Sequence, residues 1–250
     1  PGGAFPALPS NLLVSPGSSA VGRKVMAAAA PNLTPLTLEL GGKSPAIVAP
    51  DFPIAQAAAR LSTGKWFNAG QTCIAPDYVL VDAARRDALV DALRAEATAR
   101  YGDLQDARDF TRIINAAQYE RLQAHLADAR ERGLTVIPLA DIDPVRAEAE
   151  HLIAPTLVLD PGDDATLMQE EIFGPILPIR GYAALDAAIA DVAARDRPLA
   201  LYPFSHDRAT VERILDRVLA GGVTVNDTLF HFTANALPFG GIGPSGMGQY

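Results

Sequence analysis

The sequence predicts an α/β fold in which helices cover both faces of a mostly parallel β-sheet. Short apolar segments typical of buried strands alternate with longer segments whose apolar residues recur at helical spacing. This alternation is typical of parallel sheets, because each helix carries the chain back across a sheet face to the next strand. No internal repeat is visible in the sequence.

The first third of the chain contains three predicted strands and two predicted helices. The strands cover 12–14, 36–40 and 46–49. A turn rich in glycine and serine leads into a helix at 23–30, which Pro31 ends because proline has no N–H to donate. The second helix is predicted from Asp51, as its N-cap, to about Phe67, and Lys65 is one of its periodic positions.

The rest of the chain continues the alternation. The further predicted helices are 83–100, a helix from about 116 that Gly133 caps, 185–194 and 208–220. The further predicted strands are 78–81, 134–139, 156–159, 176–179, 199–204 and 223–225. Two polar segments are expected to be irregular, a linker over 101–111 and a charged surface loop over 141–150.

The composition limits the possible classes of function. A net charge of −8 argues against nucleic acid or an anionic membrane surface as the main partner. A single cysteine excludes an internal disulfide framework and predicts a reducing, cytoplasmic setting. No apolar run approaches the roughly 20 residues of a membrane span. Because the chain begins at Pro1 without an initiator Met, we expect it to be part of a longer protein.

Two glycine-rich segments match nucleotide-binding patterns only in part. Gly42-Lys43-Ser44 resembles the end of a P-loop, but the first glycine of that pattern would fall at Thr37, inside a predicted strand. Residues 241–246 fit G-x-G-x-x-G, yet they follow no clear strand and open no predicted helix. We therefore reject both matches.

Cys73 and Glu39 are the two candidates for chemistry. A lone cysteine is more often a small buried hydrophobe than a nucleophile, but Cys73 follows a Gly-Gln-Thr leader between a predicted helix and strand. Glu39 ends an apolar run, where a carboxylate is costly to bury unless it is paired or functional. The alternative for Glu39 is a strand-end residue that faces solvent on the side of Thr37.

The four histidines show no spacing typical of metal ligands, so we expect no metal site. A hydrolase that pairs Cys73 with one of these histidines stays open at this point. The histidines are His125, His151, His206 and His231.

Four segments resemble the signature blocks of the aldehyde dehydrogenase superfamily, in its order and with its spacing between Glu39 and Cys73. The segments are 38–45, 68–73, 171–175 and 238–241. Residues 75–78 and 244–248 resemble the class-3 and coniferyl aldehyde dehydrogenase branch. The resemblance covers essentially the whole chain but about half of a typical family member. It therefore implies the family's catalytic-domain fold, truncated at both ends.

The resemblance also implies a division of the chain. Residues 1–40 would be the end of a nucleotide-binding domain, 41–240 the catalytic domain, and 241–250 the start of a C-terminal segment. The full-length protein would be a homodimer. Where relatives read Phe-Thr-Gly-Ser, this chain reads Ser15-Pro16-Gly17-Ser18, which would alter the turn near the pyrophosphate.

The activity implied by the resemblance is oxidation of an aldehyde to a carboxylic acid with NAD or NADP. Cys73 would be the nucleophile, forming a thiohemiacetal and then a thioester. Glu39 would be the general base for the water that hydrolyses the thioester. The alternatives are an acylating or semialdehyde-specific relative, or a catalytic-domain fragment that is inactive without its main cofactor domain.

The same resemblance implies the residues that contact the small molecules. Glu171 would hold the hydroxyls of the nicotinamide ribose, and Phe173 would pack against that end of the cofactor. The turn at Gly17 and Ser18 would bind the pyrophosphate, with Leu40 also at the cofactor, and Phe67 would line the aldehyde tunnel.

Overall fold

Residues 4–102, 104 and 110–249 are described by the computed structural model. They form two β-sheets with helices packed on them, so the predicted α/β class with a mostly parallel sheet is confirmed. The strands are β1 Leu13–Pro16, β2 Leu36–Glu39, β3 Pro45–Val48, β4 Tyr78–Asp82, β5 Thr135–Pro138, β6 Thr156–Leu159, β7 Ile176–Tyr182, β8 Ala200–Phe204, β9 Gly222–Val223 and β10 Gly246–Met247. The helices are α1 Ser19–Ala29, α2 Ile54–Trp66, α3 Arg86–Tyr101, α4 Ala116–Glu131, α5 Pro144–Glu150, α6 Thr166–Gln169, α7 Leu185–Ala193 and α8 Arg208–Arg217.

The larger sheet has seven strands in the order β5-β6-β7-β4-β3-β8-β9. Its pairs are parallel except for β5 with β6, which is antiparallel at one edge. Every residue of the central strand β3 is buried, because helices cover both of its faces. The uniformly apolar composition of the central strands thus follows from their place in the sheet.

The smaller sheet joins distant parts of the sequence. β2 pairs with β1 in parallel and with β10 in antiparallel, so that Glu39 lies opposite both Pro16 and Gly246. The chain then leaves β2 and enters β3 of the larger sheet through residues 40–44, which we call the crossover segment. Glu39 is therefore the last strand residue before the crossover segment.

Two local predictions are wrong. The segment 141–150 contains helix α5, which Asp143 caps by accepting a hydrogen bond from Arg146 N at 2.9 Å and which Pro144 begins. An Asp-Pro pair is a common start for a helix, because the cap satisfies a free N–H and proline fits the first turn. The charged composition of the segment hid this signal.

Asp51 is not the N-cap of α2, whose cap position is Pro53 with no side-chain hydrogen bond. The Asp51 carboxylate instead accepts hydrogen bonds from Ser205 Oγ at 2.9 Å and His206 N at 2.7 Å, just beyond the end of β8. A tertiary contact has thus replaced the local one. In addition, α8 ends at Arg217 and β9 is Gly222–Val223, earlier than predicted.

Residues 241–246 open no α-helix in the structure, in agreement with the rejection of the dinucleotide motif. The predicted linker over 101–111 lies largely outside the described residues.

Candidate active site

Cys73 lies in a tightly constrained loop that follows α2. Asn68 and Ala69 adopt left-handed φ angles of 51° and 52°, and Gly70 follows with φ 73°. A β-carbon at Gly70 would stand 2.2 Å from the carbonyl oxygen of Gly174, so only glycine fits there. The loop is thus packed against the segment that follows Glu171.

The Gln71 side chain forms hydrogen bonds on the other side of this loop. Its amide nitrogen donates to Arg112 O at 3.0 Å, and its amide oxygen accepts from Ile114 N at 2.9 Å. These bonds tie the cysteine loop to the start of the segment leading into α4. Cys73 is therefore carried by a fixed backbone, although its own side chain is only half-buried.

Both carboxylate oxygens of Glu39 are buried, and neither has a hydrogen-bond partner among the described residues. Burial raises the pKa of this carboxyl above its ordinary value. The neighbouring Thr37 is buried as well. The solvent-facing alternative for Glu39 is therefore wrong, and the unpaired carboxylate fits a group held for a ligand or a reaction.

The thiol of Cys73 is influenced by two carboxylates. Burial raises its pKa, and the negative charges of Glu171 and Glu39 raise it further. The backbone N–H groups of Cys73 and Ile74 act in the opposite direction by hydrogen bonding to the sulfur. The fold thus brings Cys73, Glu39 and Glu171 together from three separate segments, and it leaves the free thiol mostly protonated at neutral pH.

Glu171 lies against the crossover segment. A β-carbon at Gly41 would stand 2.1 Å from its Oε2 atom, and the N–H of Gly42 donates a hydrogen bond to its carboxylate. Burial, with a contribution from the nearby Asp77, raises the pKa of Glu171 to about 7. Near neutral pH this group is consequently divided between its acid and its carboxylate form.

Behind Glu171 lies an ion pair that the sequence did not reveal. Lys43 pairs with Asp77, and Lys43 Nζ also donates to Leu167 O at 2.6 Å and Glu170 O at 3.0 Å. Asp77 Oδ1 accepts from Ile172 N at 3.0 Å. Lys43 lies in one of the four blocks that carry the family resemblance, and Asp77 lies in the 75–78 segment that resembles the class-3 branch. The two positions were visible in the sequence, but their pairing was not.

A second lysine, Lys65, is completely buried at the end of α2. Its ammonium nitrogen has no hydrogen-bond partner among the described residues. Burial lowers its pKa to about 8, although the charges of Asp77 and Glu171 favour the protonated form. The only sequence signal was a lysine at a periodic position of an apolar helix face.

The remaining predicted cofactor residues lie on the side of the smaller sheet. Ser18 caps α1 by accepting from Val21 N at 3.3 Å, and Gly17 N donates to Glu39 O at 2.9 Å. Leu40 packs on α1 so closely that a β-carbon at Gly22 would stand 2.9 Å from its Cδ2 atom. The turn at Gly17 and Ser18, predicted to bind the pyrophosphate, is thus hydrogen-bonded directly to the strand that carries Glu39.

Phe173 and Phe67 present their rings to solvent. Phe173 is 36% exposed with a left-handed φ of 48°, and Phe67 is 62% exposed at the end of α2. The two rings are accessible to a ligand on the side of the larger sheet.

The histidine rings have neighbours other than Cys73. His206 packs on Phe52, His151 on Tyr119, and His231 on Phe239. His125 bonds to Thr166 at 2.8 Å. Because the two side-chain charges acting on the thiol are carboxylates, the geometry favours a Cys–Glu site over a Cys–His hydrolase. The described residues contain no group of His, Cys, Asp or Glu side chains able to hold a metal ion. None of their helices is long and apolar enough to cross a membrane.

Comparison with known proteins places these features in context. The model of the aldehyde dehydrogenase family matches residues 11–250. The chain is 48% identical over 250 residues to a probable coniferyl aldehyde dehydrogenase of Caulobacter vibrioides, and 44% identical over 235 residues to mouse aldehyde dehydrogenase family 3 member A2. These matches cover 100% and 94% of this chain but 52% and 47% of the relatives. The chain therefore spans about half the length of the curated relatives it matches.

Solved structures agree with this result. The substrate-bound state of Staphylococcus aureus AldH superposes with a TM-score of 0.93 at 43% identity, over 99% of this chain and 53% of that one. A Mycobacterium tuberculosis aldehyde dehydrogenase complexed with NAD+ gives 0.87 at 31% identity, over 98% of this chain and 51% of that one. The resemblance predicted from the four sequence blocks is thereby confirmed, including the coniferyl and family 3 branch.

Proposed function

The chain belongs to the aldehyde dehydrogenase family, and from that premise we propose that it forms the catalytic part of an enzyme that oxidises an aldehyde to a carboxylic acid with NAD or NADP. The observation that carries the proposal is the convergence of Cys73, Glu39 and Glu171, in which both carboxylates act on the thiol. The names of the relatives support aldehyde oxidation in general. Because they are about twice as long, the activity of the whole protein is part of the proposal.

The residues present fit a dinucleotide. On the side of the smaller sheet, the N-terminus of α1, which Ser18 caps, would bind the pyrophosphate, with Gly17 and Leu40 beside it. On the side of the larger sheet, the carboxylate of Glu171 would accept hydrogen bonds from ribose hydroxyls, and the accessible ring of Phe173 would pack against the cofactor. The nicotinamide ring, when bound, supplies the hydride acceptor and a positive charge.

Cys73 acts first in the proposed reaction. Its thiolate adds to the aldehyde carbon, and the backbone N–H of Cys73 is a donor for the resulting oxyanion. Since burial and two carboxylates raise the pKa of the free thiol, a base or a nearby cation must assist its ionisation. Loss of hydride from the thiohemiacetal carbon then leaves an acyl thioester on Cys73.

Glu39 acts in the second half of the reaction. Its carboxylate is buried and unpaired, and its raised pKa makes it a stronger base than an exposed glutamate. It would take a proton from water, the hydroxide would add to the thioester, and the Cys73 thiolate would leave as the acid forms. This role favours hydrolysis over transfer of the acyl group to coenzyme A.

The finer assignments belong to the same proposal. Phe67 would contact the aldehyde, and coniferyl aldehyde is the first substrate to test because relatives carry that name. The division into 1–40, 41–240 and 241–250 and the homodimer of the full-length protein remain proposals. β10 qualifies this division, because Met247 pairs with Leu38 in the sheet of the first segment.

The test is formation of NADH by this chain with coniferyl aldehyde, followed by analysis of the product with and without coenzyme A. We expect a carboxylic acid in both cases, and activity lost in Cys73→Ala and strongly reduced in Glu39→Gln. An acyl-coenzyme A product would contradict hydrolysis and favour the acylating alternative. A folded wild-type chain without turnover would favour the inactive fragment.

A further inference from the structure

The backbone around Glu171 is held by charged side chains from separate parts of the chain. Lys43 donates to Glu170 O, and Asp77 accepts from Ile172 N. Arg121 of α4 donates to both Glu171 O at 3.1 Å and Ile172 O at 2.6 Å. One guanidinium thus binds two consecutive carbonyl groups within the Glu171–Phe173 segment.

His125, one helical turn further along α4, contacts this guanidinium. Arg121 Nη1 lies 3.1 Å from His125 Nε2, while His125 Nδ1 lies 2.8 Å from Thr166 Oγ1. A guanidinium has only donors, so Nε2 must be unprotonated to accept, and the ring proton is therefore assigned to Nδ1, which donates to Thr166. The Thr166 hydroxyl can then donate to Asp128 Oδ2, 3.1 Å away. Every donor in this chain of contacts finds an acceptor.

The surroundings of His125 favour the neutral ring that this arrangement needs. The side chain is 4% exposed. Burial and the charge of Arg121 lower its pKa, with a smaller contribution from Lys43, whereas Glu170 and Asp77 act in the opposite direction. The ring is consequently an acceptor for Arg121 at neutral pH.

On the basis of the function proposed above, we propose that Arg121 is a positioning residue for Glu171 and that neutral His125 holds Arg121 in place. Helix α4 would thereby set where the cofactor-binding carboxylate stands relative to Cys73. Neither Arg121 nor His125 contacts the reacting atoms. Both act through the backbone of the segment that carries Glu171.

The experiment uses the single thiol of the 250-residue chain as the reporter. The rate of Cys73 alkylation by iodoacetamide, followed against pH, gives the pKa of the thiol. In the wild type the fixed charge of Glu171 raises this pKa. In Arg121→Met the carboxylate is no longer fixed, and we expect the thiol pKa to fall by about half a unit, or about a threefold faster reaction below the pKa.

A double-mutant cycle separates positioning from a general structural effect. If Arg121 acts through Glu171, its substitution has no further effect on the thiol pKa in a Glu171→Gln background. An unchanged pKa in folded Arg121→Met, or a change of equal size in both backgrounds, would overturn the proposal. Should Arg121→Met not fold, Arg121→Lys keeps the charge but cannot bridge both carbonyls, and the same cycle applies.

His125 and a surface arginine supply the controls. His125→Gln places an acceptor near the position of Nε2 and should keep the wild-type thiol pKa, whereas His125→Leu should shift it in the direction of Arg121→Met. Equal thiol pKa values for the two His125 variants would contradict its part in the proposal.

Arg130→Met, on the exposed face of α4, should have no effect on the thiol pKa. Because alkylation needs neither cofactor nor turnover, failure of the dehydrogenase assay leaves this test intact.

Discussion

The ionisation of Glu171 makes the free energy of unfolding depend on pH. Its pKa is about 7 in the folded chain against 4.5 for a free glutamate, so the folded state holds a proton there that the unfolded state has released. The free energy of unfolding therefore falls as pH rises from about 4.5 to about 7, and this contribution is constant above that range.

Glu171→Gln removes this dependence, since an amide does not ionise. We expect the variant to gain stability relative to the wild type between about pH 5 and about pH 8, measured as the difference in free energy of unfolding by urea denaturation. Glu170→Gln, at the exposed neighbouring position, is the matched control. A constant difference across this range would show that Glu171 titrates normally.

Lys65 should destabilise the fold at neutral pH. Its folded pKa of about 8 lies below the ordinary 10.5, so its contribution to stability is lost as pH falls from about 10.5 towards 8. Replacement of a buried ion pair by apolar side chains of similar volume is often neutral or stabilising by about 1–4 kcal/mol. Lys65 has no hydrogen-bond partner to lose among the described residues. We expect Lys65→Met to raise the free energy of unfolding at about pH 7 by an amount in this range.

The control for Lys65 is Lys24→Met, which removes an exposed charge from α1. Equal effects of the two variants would mean that Lys65 is not desolvated. A loss of stability in Lys65→Met would show that the ammonium finds a partner in solution.

At the scale of elements, the stability of the fold should respond differently to alanine at two glycines near the site. Gly70 has φ 73°, and its β-carbon would stand 2.2 Å from a backbone oxygen. Gly70→Ala should therefore lower the free energy of unfolding by more than about 1–3 kcal/mol, because both the backbone and Gly174 must move.

The β-carbon of Gly41→Ala would meet only the end of the Glu171 side chain, which can rotate away. We expect a melting temperature near that of the wild type but a lower thiol pKa at Cys73, as in Arg121→Met. Similar loss of stability in both glycine variants would contradict this distinction.

Strands and helices could be predicted from the sequence where burial leaves a local pattern. Uniformly apolar strands such as β3 and periodic helices such as α3 were predicted, because burial on both faces or on one face leaves a direct pattern in the sequence. Asp51 was wrongly predicted to cap α2, because its partners at 205–207 are close to it only in the folded chain. A local rule cannot detect such a partner.

The residues of the candidate site also differ in whether the sequence could predict them. Cys73 and Glu39 were found because each is exceptional in its own segment, a lone thiol and a carboxylate in an apolar run. Arg121 and His125 were not found, since on a charged helix they resemble a solvated face. Their function depends on Glu171, which is brought to α4 by the pairing of strands.

For the molecule as a whole, the proposed cofactor residues lie in connecting segments beside both sheets. Ser18 and Leu40 follow strands of the smaller sheet, and Glu171 and Phe173 precede β7 of the larger one. A dinucleotide should therefore stabilise the fold by bridging them. At a concentration of 100 times its Kd, a ligand specific for the folded state adds about 2.7 kcal/mol.

We expect NAD to raise the melting temperature measured by differential scanning fluorimetry. AMP, which lacks the nicotinamide ribose, should raise it less at equal concentration. In Glu171→Gln the difference between the two ligands should shrink. An equal response to NAD and AMP in the wild type would show that Glu171 does not engage the cofactor.

The pairing of β10 with β2 has a consequence for the order of folding. Glu39 lies opposite Gly246, so the strand that bears the proposed base is completed by residues from the far end of the chain. Contacts of such sequence separation form slowly, because a long loop must close first. During synthesis the loop of Cys73 leaves the ribosome well before β10 does. The proposed nucleophile is therefore made long before the proposed base has a finished strand.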